Sequence, residues 1–203
     1  MGLATTVLRV VTGATMAGHG LQKLTYSFGG GGPQAAGERF EQMGFKPGQP
    51  YAVAAGATEA VGGALMGLGL ETPLACAMVS GVMAAAIAKV HYKNGFWVSN
   101  RGFEYNAMIM AAAFAVAGSG GGALSLDGWR GKRRLGFGWA LAQLALGVGA
   151  ACLLSRASGQ PKVEDEDPGA REPAHDGAVG GPEVKTIDLS VPTMADGGAG
   201  TEA

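Results

Sequence analysis

Charged side chains are scarce in this sequence. Asp, Glu, Lys and Arg make up 15% of its 203 residues, whereas an ordinary soluble domain carries about 25%. The few charges are unevenly distributed: residues 1–156 carry twelve basic and six acidic side chains, and residues 157–203 carry three basic and ten acidic ones. The near-neutral total therefore hides a basic, apolar body and an acidic tail, a composition that does not favour a nucleic-acid partner.

Cysteine is also scarce. Cys76 and Cys152 lie in different apolar runs, and they form neither a C-x-x-C pair nor a metal-ligand spacing. Buried apolar filler is the interpretation that fits both, and dithiol–disulfide chemistry is disfavoured. A motif for a redox cofactor or a metal is missing as well, so any electron transfer would need the cofactor of a partner.

In contrast to charged residues and cysteines, long apolar runs are abundant in the sequence. A helix that crosses a bilayer core needs about 20 residues, within a range of roughly 17–25. Five runs approach or meet that length, and almost none has an amphipathic face, which argues against a soluble helical protein. The sequence therefore predicts an all-α, polytopic membrane bundle. The predicted spans cover residues 3–21, 51–70, 73–92, 103–117 and 137–155.

The connections between these runs differ in character. AAGERFEQMGF (35–45) has apolar residues at helical spacing and predicts a short amphipathic helix on the membrane surface. Glu71-Thr72-Pro73 predicts a tight turn, so the second and third runs are antiparallel neighbours. GSGGG (118–122) is interpreted as a flexible helix exit, because a phosphate-binding loop would need a preceding strand.

The basic cluster RGKRR (130–134) bears on orientation, because cytoplasmic loops carry excess Lys and Arg near span ends. It predicts a cytoplasmic N-terminus, with the acidic tail outside if residues 137–155 span the membrane. Residues 128–156 thus form a basic loop and a fifth transmembrane helix. Residues 157–203 cannot bury enough apolar surface to order themselves and are predicted to be disordered.

Antiparallel topology brings most of the polar residues within the runs to one half of the membrane. His19 and Lys23 end the first run, His91 ends the third, and Glu104 opens the fourth. Glu59 lies inside the second run, where a carboxylate costs about 2.5–3.5 kcal/mol on insertion scales and needs a partner. It could handle protons or polarise a ligand, or it could form a structural pair with Arg9, which enters from the opposite end.

Histidines and aromatic residues in this half of the membrane indicate which ligands it could bind. His19 and His91 could shuttle protons or bind haem, although solvated interfacial histidines are more common. Phe96, Trp97 and Tyr105 fit an interfacial aromatic belt. With a nearby His, Lys or Glu, they would also form a flat pocket for a quinone head group.

Four ordered motifs resemble the DoxX family of bacterial membrane proteins. They are GHGLQKL (18–24), ATEAVGGALMGLG (57–69), VHYKNGFWVSNRGFEYN (90–106) and LSLD (124–127), within a match over about residues 4–127. The resemblance implies a four-helix membrane bundle (residues 1–127) in the bacterial inner membrane. It picks out Arg9, His19, Lys23, Glu59, His91, Asn94, Gly95, Phe96, Gly102, Glu104 and Tyr105. Trp97 stands where a second phenylalanine is more usual.

Three functions remain open. The resemblance implies a membrane subunit of a quinone-linked or oxidative-stress- and thiol-related complex, in which Glu59, His19 and His91 would be catalytic. Such a chain would act as an oxidoreductase only within its complex, with quinone favoured over haem as the bound cofactor. A non-catalytic anchor that recruits partner proteins is the first alternative, and a transporter of protons or small solutes is the second. Membrane lipid, other subunits and a second copy of the chain are the expected partners.

The cofactor-binding residues expected for the first function come from both ends of the runs and from the loop. They are Arg9, Lys23, Asn94, Phe96, Trp97, Glu104 and Tyr105.

Overall fold

The computed structural model describes residues 2–132 and 134–157, and within them every regular element is helical. The acidic tail, residues 157–203, is predicted to be disordered. Apart from the backbone of Ala157, it lies outside the described residues. The chain divides into two units, residues 1–163 and 164–203, and only the first contains described residues.

The α-helices follow the apolar runs closely. They are α1 (Leu3–Leu24), α2 (Gly32–Gln42), α3 (Gly48–Leu68), α4 (Thr72–Ala86), α5 (Glu104–Ser119), α6 (Leu126–Trp129) and α7 (Phe137–Ala157). A π-helical turn, Ile87–His91, continues α4, and 3₁₀ turns occupy Ser27–Gly29, Tyr92–Asn94 and Val98–Asn100. The all-α bundle predicted from the sequence is confirmed, as is the tight turn between α3 and α4.

Among the described residues, three helical segments are long and apolar enough to cross a membrane: Gly48–Leu68, Thr72–Asn94 and Phe137–Arg156. By this measure α7 has the length and composition of a span. With 16 residues, α5 is a little shorter than the roughly 17–25 that a span needs. The buried Arg9 and the partly exposed Lys23 lower the apolarity of α1. The interpretation of α1 and α5 as spans therefore stays a prediction.

Glycine allows α1 and α3 to pack with their backbones in contact. A Cβ at Gly20 would lie 2.3 Å from the amide nitrogen of Ala60, and one at Gly63 would lie 2.3 Å from that of Ala17. No side chain fits at such distances, so only glycine permits this approach, which is the small-residue packing common between membrane helices.

The core lies between α1, α3, α4 and α5, and α7 is added on the outer face of α4. The buried apolar cluster comprises Met16, Met66, Ala75, Cys76, Val79, Met83, Ile109, Ala113, Val116 and Ala117. On the α7 side, a Cβ at Gly147 would lie 2.5 Å from the carbonyl oxygen of Ala77. The buried Ser80 hydroxyl also donates a hydrogen bond to Gln143 Oε1 over 3.0 Å, so α7 belongs to the bundle.

The LSLD motif closes the end of the bundle at which α1 begins. Asp127 is buried, and its carboxylate accepts hydrogen bonds from the backbone N–H groups of Glu71 (3.0 Å) and Thr72 (2.8 Å) and from the Thr72 hydroxyl (2.8 Å). These N–H groups start α4 and would otherwise lack acceptors. Asp127 therefore caps α4 from a distant part of the chain.

The turn between α3 and α4 is also tied to the basic cluster. The Glu71 carboxylate forms ion pairs with Lys132 and Arg134. The same contacts are hydrogen bonds to the carboxylate, and they hold the pKa of Glu71 below its ordinary value of 4.5. The bond from Lys132 has the largest effect, followed by that from Arg134. The carboxylate is consequently ionised at neutral pH.

Substitution of Gly63 by Ala tests the contact between α1 and α3. We expect the added methyl group to force the helices apart and to lower the free energy of unfolding by about 1–3 kcal/mol, measured by thermal unfolding in mild detergent. Gly18→Ala is the matched control in α1, because a Cβ there meets nothing within 4 Å. Equal stability of the two variants would contradict the close packing.

The Glu71 pairs predict a pH dependence. Because the folded-state pKa lies below 4.5, the pairs stabilise the fold above the unfolded-state pKa, and this contribution is lost as the pH falls through the folded-state value. We therefore expect Glu71→Gln to lower the melting temperature at pH 7 and the difference from the unsubstituted protein to shrink below about pH 4.5. A difference that stayed constant down to pH 3 would show that the pairs do not contribute.

Candidate functional site

An ion pair between Lys23 and Glu59 joins α1 to α3 inside the bundle. Lys23 Nζ donates a hydrogen bond to Glu59 Oε2, and it also lies 3.3 Å from the carbonyl oxygen of His19. Glu59 is only 4% exposed, whereas the Lys23 side chain is 26% exposed. A carboxylate at this depth needs such a partner, and the lysine connects it to a more open region.

Glycines in α3 make room for this pair. A Cβ at Gly56 would lie 3.0 Å from Lys23 Cβ and 3.2 Å from the carbonyl oxygen of Gly20. The lysine side chain therefore passes over a residue without a side chain and reaches the next turn of α3. A larger residue at position 56 would crowd Lys23 Cβ and the Gly20 carbonyl oxygen.

His19 and Tyr105 bring a third helix to the pair. His19 Nδ1 lies 3.2 Å from Gln22 Oε1, and its ring meets the Tyr105 ring of α5 edge-on, with centroids 6.4 Å apart. The structure thus gathers His19, Lys23, Glu59 and Tyr105, four of the residues singled out in the sequence, at one end of the bundle.

A polar cavity of about 400 Å³ opens beside this cluster. Its walls come from the end of α1, the following turn and α2, and they comprise His19, Gln22, Lys23, Gly29, Gly30, Ala36, Arg39, Phe40 and Met43. Three of these side chains can be cationic. Sequence reasoning missed Gln22, which lies in α1 beside Lys23. It also missed Arg39 and Phe40, because α2 was interpreted as a surface helix, although its small residues Ala36 and Gly37 indicated a packed face.

An apolar cavity of about 440 Å³ adjoins the polar one at Phe40, which lines both. It runs along α3, α4 and α7. Its walls are Phe40, Phe45, Tyr51, Ala54, Ala55, Thr58, Leu74, Ala77, Met78, Gly81, Val82, Ala85, Leu146, Gly147, Ala150, Ala151, Leu154 and Ser155. Nearly all of them are apolar, and many are small. Two cavities of opposite polarity therefore meet at one side chain.

The loop from His91 to Glu104 is folded mainly on itself. His91 Nδ1 lies 2.8 Å from the carbonyl oxygen of Arg101, and Asn94 Nδ2 donates to the same oxygen over 3.2 Å. Glu104 Oε2 accepts from the Val98 amide over 2.9 Å. Within the described residues, no hydrogen bond or ion pair joins this loop to His19 or Glu59, and its link to the cluster is Tyr105 in the helix that follows.

The aromatic residues of the loop face outward. Phe96 packs edge-on against Trp97 and Phe103, with centroid distances of 5.1 and 5.4 Å. Trp97 is nevertheless 62% exposed. An exposed aromatic cluster at the end of apolar helices is typical of the interface between membrane and water.

The expected pair between Arg9 and Glu59 is wrong. Arg9 lies at the opposite end of the contact between α1 and α3. It is buried, and its guanidinium donates to the carbonyl oxygens of Met66 (3.3 Å), Gly67 (2.5 Å) and Leu124 (2.9 Å). The Gly67 carbonyl is available because it lies in the last turn of α3, and the Met66 carbonyl also accepts the Gly69 N–H over 3.0 Å. Arg9 therefore joins α1, the end of α3 and the LSLD segment.

Metal ligation finds no support in the geometry. Over residues 2–132 and 134–157, no group of three or more His, Cys, Asp or Glu side chains could hold a metal ion. His19 and His91 have separate hydrogen-bond partners, Gln22 and Arg101.

These features define a class of protein: an all-α membrane helical bundle with a salt bridge and adjoining cavities near one end. The DoxX family model matches residues 4–92, so this part of the chain is similar to the DoxX family. The match ends just after the π-helical turn that continues α4, so α5 to α7 lie outside it. Neither a curated protein nor a solved structure matches the chain.

The ion pair can be tested by removing one or both partners. We expect Lys23→Met alone to lower the free energy of unfolding by about 2 kcal/mol, below the roughly 3–5 kcal/mol of a fully buried pair because Lys23 is partly exposed. The double variant Lys23→Met/Glu59→Met should recover most of this loss, since it leaves no unpaired carboxylate. Thermal unfolding in detergent measures both, and a double variant less stable than the single one would contradict the pairing.

Proposed function

We propose that this protein is the membrane subunit of a redox-linked complex and binds a quinone at the junction of its two cavities. The observation that carries the proposal is the pair of cavities, one polar and one apolar, that share Phe40. A quinone has a polar ring and a long apolar tail, and it requires both environments side by side. The match to the DoxX family model supports a redox-linked role.

The polar cavity suits the ring. At about 400 Å³, it falls within the roughly 300–1,000 Å³ of small-molecule sites. Lys23 Nζ and the His19 ring can donate hydrogen bonds to the two carbonyl oxygens, and the Phe40 ring offers an apolar face. The apolar cavity takes the tail along α3, α4 and α7.

Proton transfer gives the ion pair a chemical role. Reduction of a quinone to a quinol takes up two electrons and two protons. His19 lies at the cavity wall, where its imidazole ring can relay a proton between its two nitrogens, and Lys23 links the cavity to the Glu59 carboxylate. The electrons would come from the redox group of a partner protein.

The loop from His91 to Glu104 is proposed to lie at the membrane interface and to face that partner. Its exposed aromatic residues, Phe96 and Trp97, would be the points of contact, with His91, Asn94 and Glu104 holding the loop in shape. In this arrangement the N-terminus is cytoplasmic, and the site lies toward the outer face of a bacterial inner membrane.

Quinone binding to the purified full-length protein tests the proposal. The probes are short-chain benzoquinone and naphthoquinone analogues, titrated in detergent and followed by quenching of tryptophan fluorescence. We expect Lys23→Gln to weaken binding about three- to tenfold, the net value of a single hydrogen bond. Lys46→Gln is the matched control, because Lys46 is exposed near the same end and lines neither cavity.

Two variants distinguish binding of the quinone ring from binding of its tail. Ala55→Leu narrows only the apolar cavity and should weaken long-tailed analogues more than short ones, whereas Lys23→Gln should affect both equally. Equal affinity of all variants would contradict the proposed site. If the protein bound no quinone but retained soluble enzymes on purification, the anchor function would replace this proposal.

A further inference from the structure

A second polar cavity lies at the opposite end of the bundle, away from the proposed quinone site. It has a volume of about 330 Å³ and is lined by the loop that follows α5 and by Lys132 and Arg134 of the basic cluster. Gly120, Gly121 and Gly122 contribute backbone, and Lys132 and Arg134 contribute cationic side chains. The quinone proposal uses none of these residues.

The glycine loop offers backbone donors to this cavity. Gly120 and Gly122 have φ of +73° and +78°, with Gly121 between them packed so closely that a Cβ would lie 2.6 Å from Ser125 Oγ. Within the described residues, the N–H groups of Gly121 and Gly122 make no backbone hydrogen bond. Successive N–H groups in such turns form concavities that bind anions.

The side chains around the cavity carry an excess of positive charge. Lys132 and Arg134 share the single carboxylate of Glu71, so one positive charge is left uncompensated. Arg130 is exposed just before them. Asp127 adds little negative potential to the cavity. Its carboxylate is buried and accepts hydrogen bonds from the backbone N–H groups at the start of α4.

Exposed apolar side chains surround the same region. Trp129 is 80% exposed, Leu135 is 49% exposed and Phe137 is 68% exposed, and α7 starts at Phe137. Large apolar residues next to lysine and arginine at the end of a membrane helix are typical of the level of the lipid head groups. A ligand here therefore meets cationic and N–H donors at one end and an apolar helix surface at the other.

We propose that this cavity, formed by the glycine loop together with Lys132 and Arg134, binds the phosphate group of an anionic phospholipid whose acyl chains extend beside α7. Anionic lipids bind basic clusters next to transmembrane helices. The bound lipid joins the loop after α5 to the start of α7. The site therefore stabilises the end of the bundle that Asp127 and Glu71 already close.

The test counts lipids bound to the intact, full-length protein by native mass spectrometry in detergent with equal amounts of phosphatidylglycerol and phosphatidylcholine. We expect the unsubstituted protein to retain phosphatidylglycerol, and Lys132→Gln/Arg134→Gln to bind it on the order of tenfold more weakly. Lys46→Gln/Lys93→Gln removes the same charge at the other end and should leave this binding unchanged. Equal losses in both double variants would overturn the proposal, because they would indicate non-specific attraction.

Glu71→Gln gives an effect of opposite sign. It releases Lys132 and Arg134 from their carboxylate and should raise the affinity for phosphatidylglycerol severalfold, which a purely structural cluster would not do. This variant decides the question if the double glutamine variant fails to fold, and unchanged affinity would overturn the proposal. Competition with inorganic phosphate distinguishes the source of the anion: displacement of the lipid only at high phosphate concentration supports a lipid site, and displacement at low concentration overturns it.

Discussion

The close contact between α1 and α3 is the constraint on which the rest of the structure depends. Because glycine brings the two backbones together, the register between the helices is fixed, and each charged residue of α1 meets a defined part of α3. Lys23 reaches Glu59 past Gly56, and Arg9 reaches the last carbonyl oxygens of α3. A wider separation would leave these charges without partners in a region of low dielectric constant, where unpaired charges are strongly unfavourable.

The charged residues at the two ends of this contact, Arg9 and Lys23, have different kinds of partner. The difference indicates which residue is structural and which can bind a ligand. Arg9 is bound by backbone carbonyl oxygens, two in the last turn of α3 and one at Leu124 in the loop before α6. Lys23 instead has a side-chain partner and borders a cavity. A ligand can therefore compete for the donors of Lys23 while Glu59 stays paired, whereas nothing can reach Arg9. For this reason the quinone site is proposed at the Lys23 end.

The sequence predicted the helices well, because the lengths of the apolar runs and the Gly and Pro residues between them limit where helices begin and end. It also gathered His19, Lys23 and Glu59 correctly, since antiparallel helices place them at one depth. Depth alone does not give the register between the helices, so a pair between Arg9 and Glu59 stayed one of two alternatives. The signal was present: Gly13 and Gly20 have the same spacing as Gly56 and Gly63. The role of Asp127 could not be predicted, because it depends on a contact between distant segments.

The helix α7 gives this chain a feature that the DoxX match does not cover. The match ends at residue 92, yet α7 packs on α4 through Gly147 and supplies one wall of the apolar cavity with Leu146, Ala151 and Leu154. The polar cavity, by contrast, is built entirely from residues inside the match. In the proposed site, residues 4–92 would then bind the ring of the quinone, and α7 would determine how well its tail fits. Without α7, the same groove would lie open to lipid along α4, and any apolar chain of the membrane would fill it.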